Sequence, residues 1–379
     1  MDGLDHQIQP RLSTCTKPAS TLIQYERTDL LPLHTSENFN PLAYFSHHMD
    51  PFVKLFPRNF LIMRTSFCAQ SCPLNKTKYF NKILLISMSQ QSTYNSVFVV
   101  GATGTVGSFV TKALLKHPNV NVSILSERKV KEKPDLKQLG AGHVTSSKEE
   151  ELVQALKGVD VIVSTLSGAA EIIFDGQVKL LQAAKKVGVK KFIPTSFGVD
   201  YSKLEFGEFL FNDPKKKFTS ELVKSGLEYV QVHTGIFAPY AASLNLLYIY
   251  DKDSNTVKYY GELNVPVEIT DLEDVEKYTA EAALRHDIKY RDISVKGDSL
   301  LVKNIAHLVY GDMVVLEQVQ TVDELKKSID ERLQKTLQPQ EIFPLIIDQL
   351  RWVIYTQKAR STHFDNQLFQ TFIQRLLRN

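Results

Sequence analysis

The sequence predicts an α/β architecture: a doubly wound parallel sheet followed by a smaller C-terminal part. Three observations carry that prediction. Ser96-Val-Phe-Val-Val100 is an apolar run of the kind that fills a strand buried on both faces. It runs directly into a glycine turn, Gly101-Ala-Thr-Gly-Thr-Val-Gly107. From there to about residue 335, strand-like and helix-like stretches alternate, which is the pattern a parallel sheet with crossover helices requires.

Each element has its own signal. After the turn, Val106, Phe109, Val110, Ala113 and Leu114 recur at helical spacing on one face. Val120 to Leu125 reads as a second strand, Asp160 to Leu166 as a later one, followed by Lys191 to Ser196 and Tyr229 to His233. Helices are expected over Glu149 to Lys157 and Gly176 to Val187, with Gly158 and Gly188 where C-terminal caps belong. A parallel sheet holds its ligand at the carboxyl ends of its strands, so the residues just after each strand are the ones to watch.

The glycine turn gives the sheet its chemistry. Glycines at 101, 104 and 107 remove side chains that would block a tight turn and let the backbone and a helix N-terminus approach a pyrophosphate. Strand, turn and helix in this order make the fold Rossmann-type and the ligand a dinucleotide, with Thr103, Thr105 and Val106 contributing backbone contacts. The end of the second strand normally selects the cofactor. An acid there binds the ribose 2′-hydroxyl of NAD, whereas a base neutralises the 2′-phosphate of NADP. The chain reads Ser126-Glu-Arg-Lys129, so either Glu127 or Arg128 faces the ribose. Two adjacent cations favour the phosphate, and Arg128 with NADP(H) is the expectation.

Composition excludes several alternatives. The chain of 379 residues is 43% hydrophobic and 23% charged, ordinary for a soluble globular protein, and no stretch is long and apolar enough to read as a membrane span. A net charge of +3 with no basic stripe gives no case for nucleic acid. All three cysteines, Cys15, Cys68 and Cys72, precede the glycine turn without a matching Cys/His pair, so neither a metal nor disulfides are expected, which fits a reducing cytoplasm. Residues 1–95 mix polar residues with apolar scraps such as Phe60 to Met63 and show no sustained period. They read as an extension that is disordered or not normally made, with the working protein starting near Met88.

Later segments resemble the NmrA-like and isoflavone reductase-like family of atypical short-chain reductases, a group that includes phenylcoumaran benzylic ether and pinoresinol-lariciresinol reductases. The residues that carry the likeness are Pro194-Thr-Ser-Phe-Gly-Val-Asp200, Pro214-Lys-Lys-Lys-Phe218, Ser225-Gly-Leu-Glu-Tyr229 and Thr234-Gly-Ile-Phe237, with Val267 to Asp274 and Thr321 to Leu325 further on. It spans about 96–335, with the substrate-binding part from about residue 235. The spacing Gly101-x-x-Gly104-x-x-Gly107 is also the form those reductases use.

The resemblance implies a catalytic lysine in place of the usual Tyr-x-x-x-Lys pair, and counting back from Gly226 places it on Lys215. A solvated, charged helix start is the alternative, and since successive positions lie about 100° apart, at most one or two of Lys215, Lys216 and Lys217 can face a cleft. Tyr248-Ile-Tyr-Asp-Lys252 matches the usual pair formally but lies beyond the strand ending at His233. Ser196 and Phe197 end a strand beside the expected nicotinamide site. His233 and Phe237 are expected to line the substrate pocket, a satisfied core histidine being the alternative. The stretch Thr145-Ser-Ser147 lacks the acid that relatives carry near the adenine. The resemblance thus implies an NADPH-dependent reductase that transfers hydride to a small aromatic or conjugated molecule, with a homodimer compatible. The same fold also hosts NADP-binding redox sensors that act through a protein partner. Apolar residues in 336–379, Phe343 to Val353 and Phe369 to Leu376, predict a helical extension packed on its own domain or on a partner.

Overall fold

The computed structural model describes residues 93–125, 142–144, 148–243 and 245–369. Arg128, Glu127, the three cysteines, Thr145 to Ser147, Met88 and the expected disordered extension lie outside them.

The first half alternates as expected: β1 (Ser96–Val100), α1 (Thr105–Leu115), β2 (Asn121–Leu125), β3 (Gly142–Val144), α2 (Glu149–Ala155), β4 (Val161–Ser164), α3 (Ala170–Val187), β5 (Lys191–Ile193), α4 (Asp213–Ser225) and β6 (Glu228–His233). The second half runs β7 (Ile236–Phe237), α5 (Ala238–Ser243), β8 (Ile249–Asp251), β9 (Thr256–Tyr260), β10 (Pro266–Thr270), α6 (Leu272–Leu284), β11 (Arg291–Ser294), β12 (Asp298–Leu301), α7 (Val302–Tyr310), β13 (Val315–Gln320), α8 (Val322–Leu333) and α9 (Pro339–Tyr355).

Seven strands form one sheet in the order β11-β6-β5-β4-β1-β2-β3, and every pairing in it is parallel. Its middle strands are apolar because both faces are covered: all four residues of β4 and the last four of β1 are buried. On one face Val110, Ala113 and Leu114 of α1 pack with Val275, Ala282 and Ala283 of α6. On the other, Leu152, Leu180, Leu181, Phe218 and Leu222 of α2, α3 and α4 cover Phe98, Ile162 and Phe192. Strand order reverses between β1 and β4, so the chain leaves these neighbouring strands toward opposite sides and opens a crevice at their carboxyl ends.

Some boundaries move. The strand expected to reach Ser196 stops at Ile193, because Pro194 has no N–H to give the ladder. The helix expected from Gly176 begins at Ala170, and Gly188 caps it.

The smaller part is not a contiguous tail. Two three-stranded sheets, β12-β10-β7 and β13-β9-β8, build it with α7, α8 and α9, whereas α6 and β11 return to the large sheet. The chain crosses from one sheet to the other at Gly235, whose φ of 64° lies in the left-handed region and where a Cβ would stand 2.4 Å from the Glu268 carbonyl oxygen. A capping box between Thr321 and Glu324 starts α8. Leu345, Val353, Ile354 and Tyr355 of α9 are buried, and Phe369 packs edge-on against Tyr278, so the described part of the C-terminal stretch, to Phe369, folds onto its own domain; Phe372, Ile373 and Leu376 lie outside the described residues.

Candidate functional site

At the crevice, Gly101 carries a φ of 79°, and a Cβ on it would stand 2.9 Å from the Thr165 carbonyl and hydroxyl oxygens. A Cβ on Gly107 would fall 2.2 Å from the Gly101 oxygen and 2.5 Å from Thr165 Oγ1. The Thr165 hydroxyl itself donates to the Val100 carbonyl at 2.7 Å, tying the end of β4 to the end of β1. Two of the three glycines therefore serve close packing of strand, helix and Thr165. Gly104 differs. It is the N-cap of α1 with no side-chain cap, and a Cβ there would meet only the Gly101 oxygen, at 3.2 Å. As a glycine it offers no side chain of its own to the first amides of α1, at Thr105 and Val106, which is the arrangement at a helix start that receives an anion.

Lys215 stands on α4, just after Pro214 in the first turn. Of the three consecutive lysines it alone is buried, at 6% exposure, while Lys216 is half-buried and Lys217 exposed. The 100° step sets this pattern, with Phe218 buried on the same face one turn on. Lys215 Nζ donates to the Phe197 carbonyl at 2.9 Å and lies 4.7 Å from the centre of the Phe211 ring. Burial pushes its pKa down to about 7, so near neutrality it carries and releases a proton with comparable ease.

The loop after β5 joins this lysine to the end of β6. Ser196 is fully buried, and its hydroxyl accepts from Val232 N at 2.7 Å, so it clamps β5 to β6 and has no free face toward a ligand. Phe197 packs its ring into the core and offers its carbonyl to Lys215. Gly198 N donates to Thr234 Oγ1 at 3.1 Å. On the far side of the loop, His233 is 2% exposed, with Asp200 Oδ1 3.9 Å from its Nε2 and the Tyr201 ring edge-on at 5.1 Å. Burial holds its pKa below the usual histidine value against the pull of Asp200. Phe237, half-buried, packs edge-on against Tyr240 at 5.5 Å.

Next to His233 lies a cavity. Asp200, Ser294, Glu268, Val353, Arg360 and Phe364 are among its walls, and Lys215 and the glycine turn are not. Sequence reasoning did not single out Thr165, Asp200, Tyr201 or Phe211, although Thr165 falls within the strand expected over Asp160 to Leu166 and Asp200 ends the Pro194 to Asp200 motif. Tyr248 of the rival pair is buried among the residues of the smaller part, edge-on to Tyr310. Among the described residues no helix is long and apolar enough to cross a membrane.

A model of the NmrA-like family matches residues 93–354. Pinoresinol reductase 1 of Arabidopsis thaliana is 33% identical over 213 residues, which are 51% of this chain and 65% of that protein. The bifunctional pinoresinol-lariciresinol reductase of Linum usitatissimum is 34% identical over 200 residues, 48% of this chain and 63% of its own length. The chain thus spans a little under two thirds of these relatives. Among solved structures, the binary complex of leucoanthocyanidin reductase with NADPH from Vitis vinifera superposes with a TM-score of 0.58 at 21% identity, covering 71% of this chain and 89% of that one. AtPrR2 with NADP+ and (+)-pinoresinol gives 0.58 at 23% identity, covering 73% and 92%. At these identities the superpositions establish the Rossmann-type fold.

Proposed function

Because the chain belongs to the NmrA-like family, we propose that it is an NADPH-dependent reductase that transfers hydride to a small aromatic or conjugated substrate. The observation that carries the reading is Lys215: a lysine buried in a Rossmann-type crevice, held to the Phe197 carbonyl, with a pKa near 7. Burial keeps this ammonium out of solvent and is what brings its pKa into the range where it can exchange a proton.

The crevice fits a dinucleotide. Space that Cβ atoms would fill at Gly101 and Gly107 is taken up by close strand-helix packing, and Gly104 leaves the start of α1 accessible. Gly101, Thr103, Gly104, Thr105, Val106 and Gly107 would hold the pyrophosphate, Arg128 the 2′-phosphate, and Phe197 would flank the nicotinamide end. When bound, the cofactor supplies hydride from its nicotinamide C4. Lys215 orients the substrate oxygen and, as the ammonium, gives it the proton that balances the hydride; as the amine, it takes that proton back in the reverse direction. His233 and Phe237 stand on the substrate side, at and just beyond the end of β6. Relatives support the reading: leucoanthocyanidin reductase binds NADPH, and the curated relatives are named reductases. The partner is then a small molecule and the location cytoplasmic.

Fluorescence titration of the full chain with NADPH, NADP+ and NADH tests this. Tight NADPH binding with at least about tenfold weaker NADH binding, equal to 1.4 kcal/mol, is the expected result. No binding of any of the three overturns it, and a strong preference for NADP+ with no turnover of pinoresinol would favour a redox sensor.

A further inference from the structure

The cover over Lys215 is fastened from the far end of the chain. Between the short turn at Tyr201–Lys203 and the start of α4, residues 204–212 form an irregular segment that carries Phe211, whose ring centre lies 4.7 Å from the Lys215 ammonium. Such a segment has no ladder of its own for its backbone groups, so side chains from elsewhere have to meet them. Gln349 of α9 does this twice. Its Oε1 accepts from Leu210 N at 3.1 Å, and its Nε2 donates to the Gly207 carbonyl at 2.8 Å. One side-chain amide thus serves the loop as the peptide group of a neighbouring strand would. Helical phase makes its identity informative: Leu345, Gln349 and Val353 recur at every fourth position of α9 and all three are buried, Gln349 completely. An apolar side chain would fill that place without the cost of burying an amide, so the two hydrogen bonds are what the glutamine contributes there.

We infer that Gln349 is a positioning residue for Lys215: by fixing Gly207 and Leu210 it holds the Phe211 ring over the ammonium and keeps water from that side of it. The inference rests on the reductase reading only for the work that Lys215 does. From the C-terminal part a second tie, Lys358 to Glu208, reaches the same segment, but its side chains are 36% and 19% exposed, and a pair open to water contributes little to placement. Phe209, buried with Tyr201 and Val353, stands 5.9 Å from the Phe211 ring centre and gives the segment an apolar anchor beside the amide. Three titratable groups stand near Lys215. Asp213, which accepts from Gly207 N at 3.0 Å, and Lys216 share its helix, and His233 at the end of β6 is near enough to feel its charge.

The test follows the Lys215 side chain itself, by carbon NMR of the full chain labelled at lysine Cε and titrated across the range in which lysines lose their protons. Its signal is the one missing from Lys215→Met. In the wild type it should titrate at about 7. Gln349→Met keeps the length of the side chain without its amide, and Phe211→Ala removes the ring; each should raise the titration by about one pH unit, a tenfold gain in proton affinity, as water reaches the ammonium. The double variant should shift little further than Phe211→Ala alone, because the glutamine acts through the ring. A Lys215 that titrates in Gln349→Met as it does in the wild type, or shifts that add in full in the double variant, overturns the inference whatever happens to the melting temperature. Should Gln349→Met fail to melt cooperatively, Gln349→Asn, one methylene shorter and unable to span both groups, is read in the same way. NADPH titration of the same samples separates the two readings: NADPH binding with an unmoved Lys215 leaves the reductase and removes the clamp, and a moved Lys215 in a chain that binds no NADPH removes the reductase alone.

Discussion

Replacing Lys215 by Met should stabilise the protein at pH 6 and destabilise it at pH 10. The argument starts from the lowered pKa, about 7 against an ordinary 10.5. In that window the unfolded chain holds a proton on this side chain that the native chain does not, so native stability rises with pH. Below pH 7 both states are protonated and the full cost of a buried ammonium is present. At 1.36 kcal/mol per pH unit, that cost is about 5 kcal/mol. Methionine matches the length of the stem without the charge and removes the cost, but it also deprives the Phe197 carbonyl of its donor, which costs about 1–3 kcal/mol. The net gain at pH 6 is then about 3 kcal/mol, or roughly 5–10 °C in melting temperature for a chain of this size. Near pH 10 the cost of the buried charge has nearly vanished and the variant should melt below the wild type. Thermal melts of both proteins from pH 6 to pH 10 measure the crossing. A difference that stays constant with pH, or a variant less stable at pH 6, would show that Lys215 is not buried as the ammonium, and the proton-transfer role would lose its basis.

Two other sites give sharp expectations. Gly107→Ala places a methyl 2.2 Å from the Gly101 oxygen and should cost about 1–3 kcal/mol or more of stability, together with NADPH binding, whereas Gly104→Ala, with its nearest neighbour at 3.2 Å and a φ of −72°, should leave the melting temperature nearly unchanged while weakening NADPH. Equal loss of stability in the two variants would contradict the division of labour among the glycines. Thr321→Ala breaks the capping box of α8 and should cost about 1 kcal/mol, and Thr321→Ser should recover most of it in a chemical denaturation series.

The part of the fold that was legible in the sequence is the part fixed by local pattern. β1 and β4 are largely apolar runs covered on both faces, β2 and β6 alternate Val122 and Ile124, and Val230 and Val232, with polar residues, and the glycine turn forces a tight strand-to-helix junction whatever follows. β11 escaped because Arg-Asp-Ile-Ser is no strand by composition; only Ile293 is buried, and pairing with β6 makes it one. The return of α6 to the large sheet is a matter of topology that periodicity does not encode. At the site, helical phase correctly allowed no more than one or two of the three lysines to face inward, but the placing of half-buried Asp200 beside His233 depends on a loop and on the C-terminal segment, whose Ser361 reaches it. Lys191 shows the limit. A lysine opening a strand reads as an exposed end, yet its ammonium is fully enclosed and donates to the carbonyls of Ala282 and Arg285 at the end of α6.

The crossing at Gly235 has a mechanical consequence. The chain passes from the large sheet into the smaller part through a left-handed residue pressed against Glu268, and within a few residues Thr270 Oγ1 donates to the Thr234 carbonyl at 2.5 Å and Gly297 N to the Ile269 carbonyl at 2.8 Å. A joint riveted on both sides in this way transmits torque instead of bending. The crevice at the ends of β1 and β4 and the cavity beside His233 are therefore joined without a hinge at Gly235.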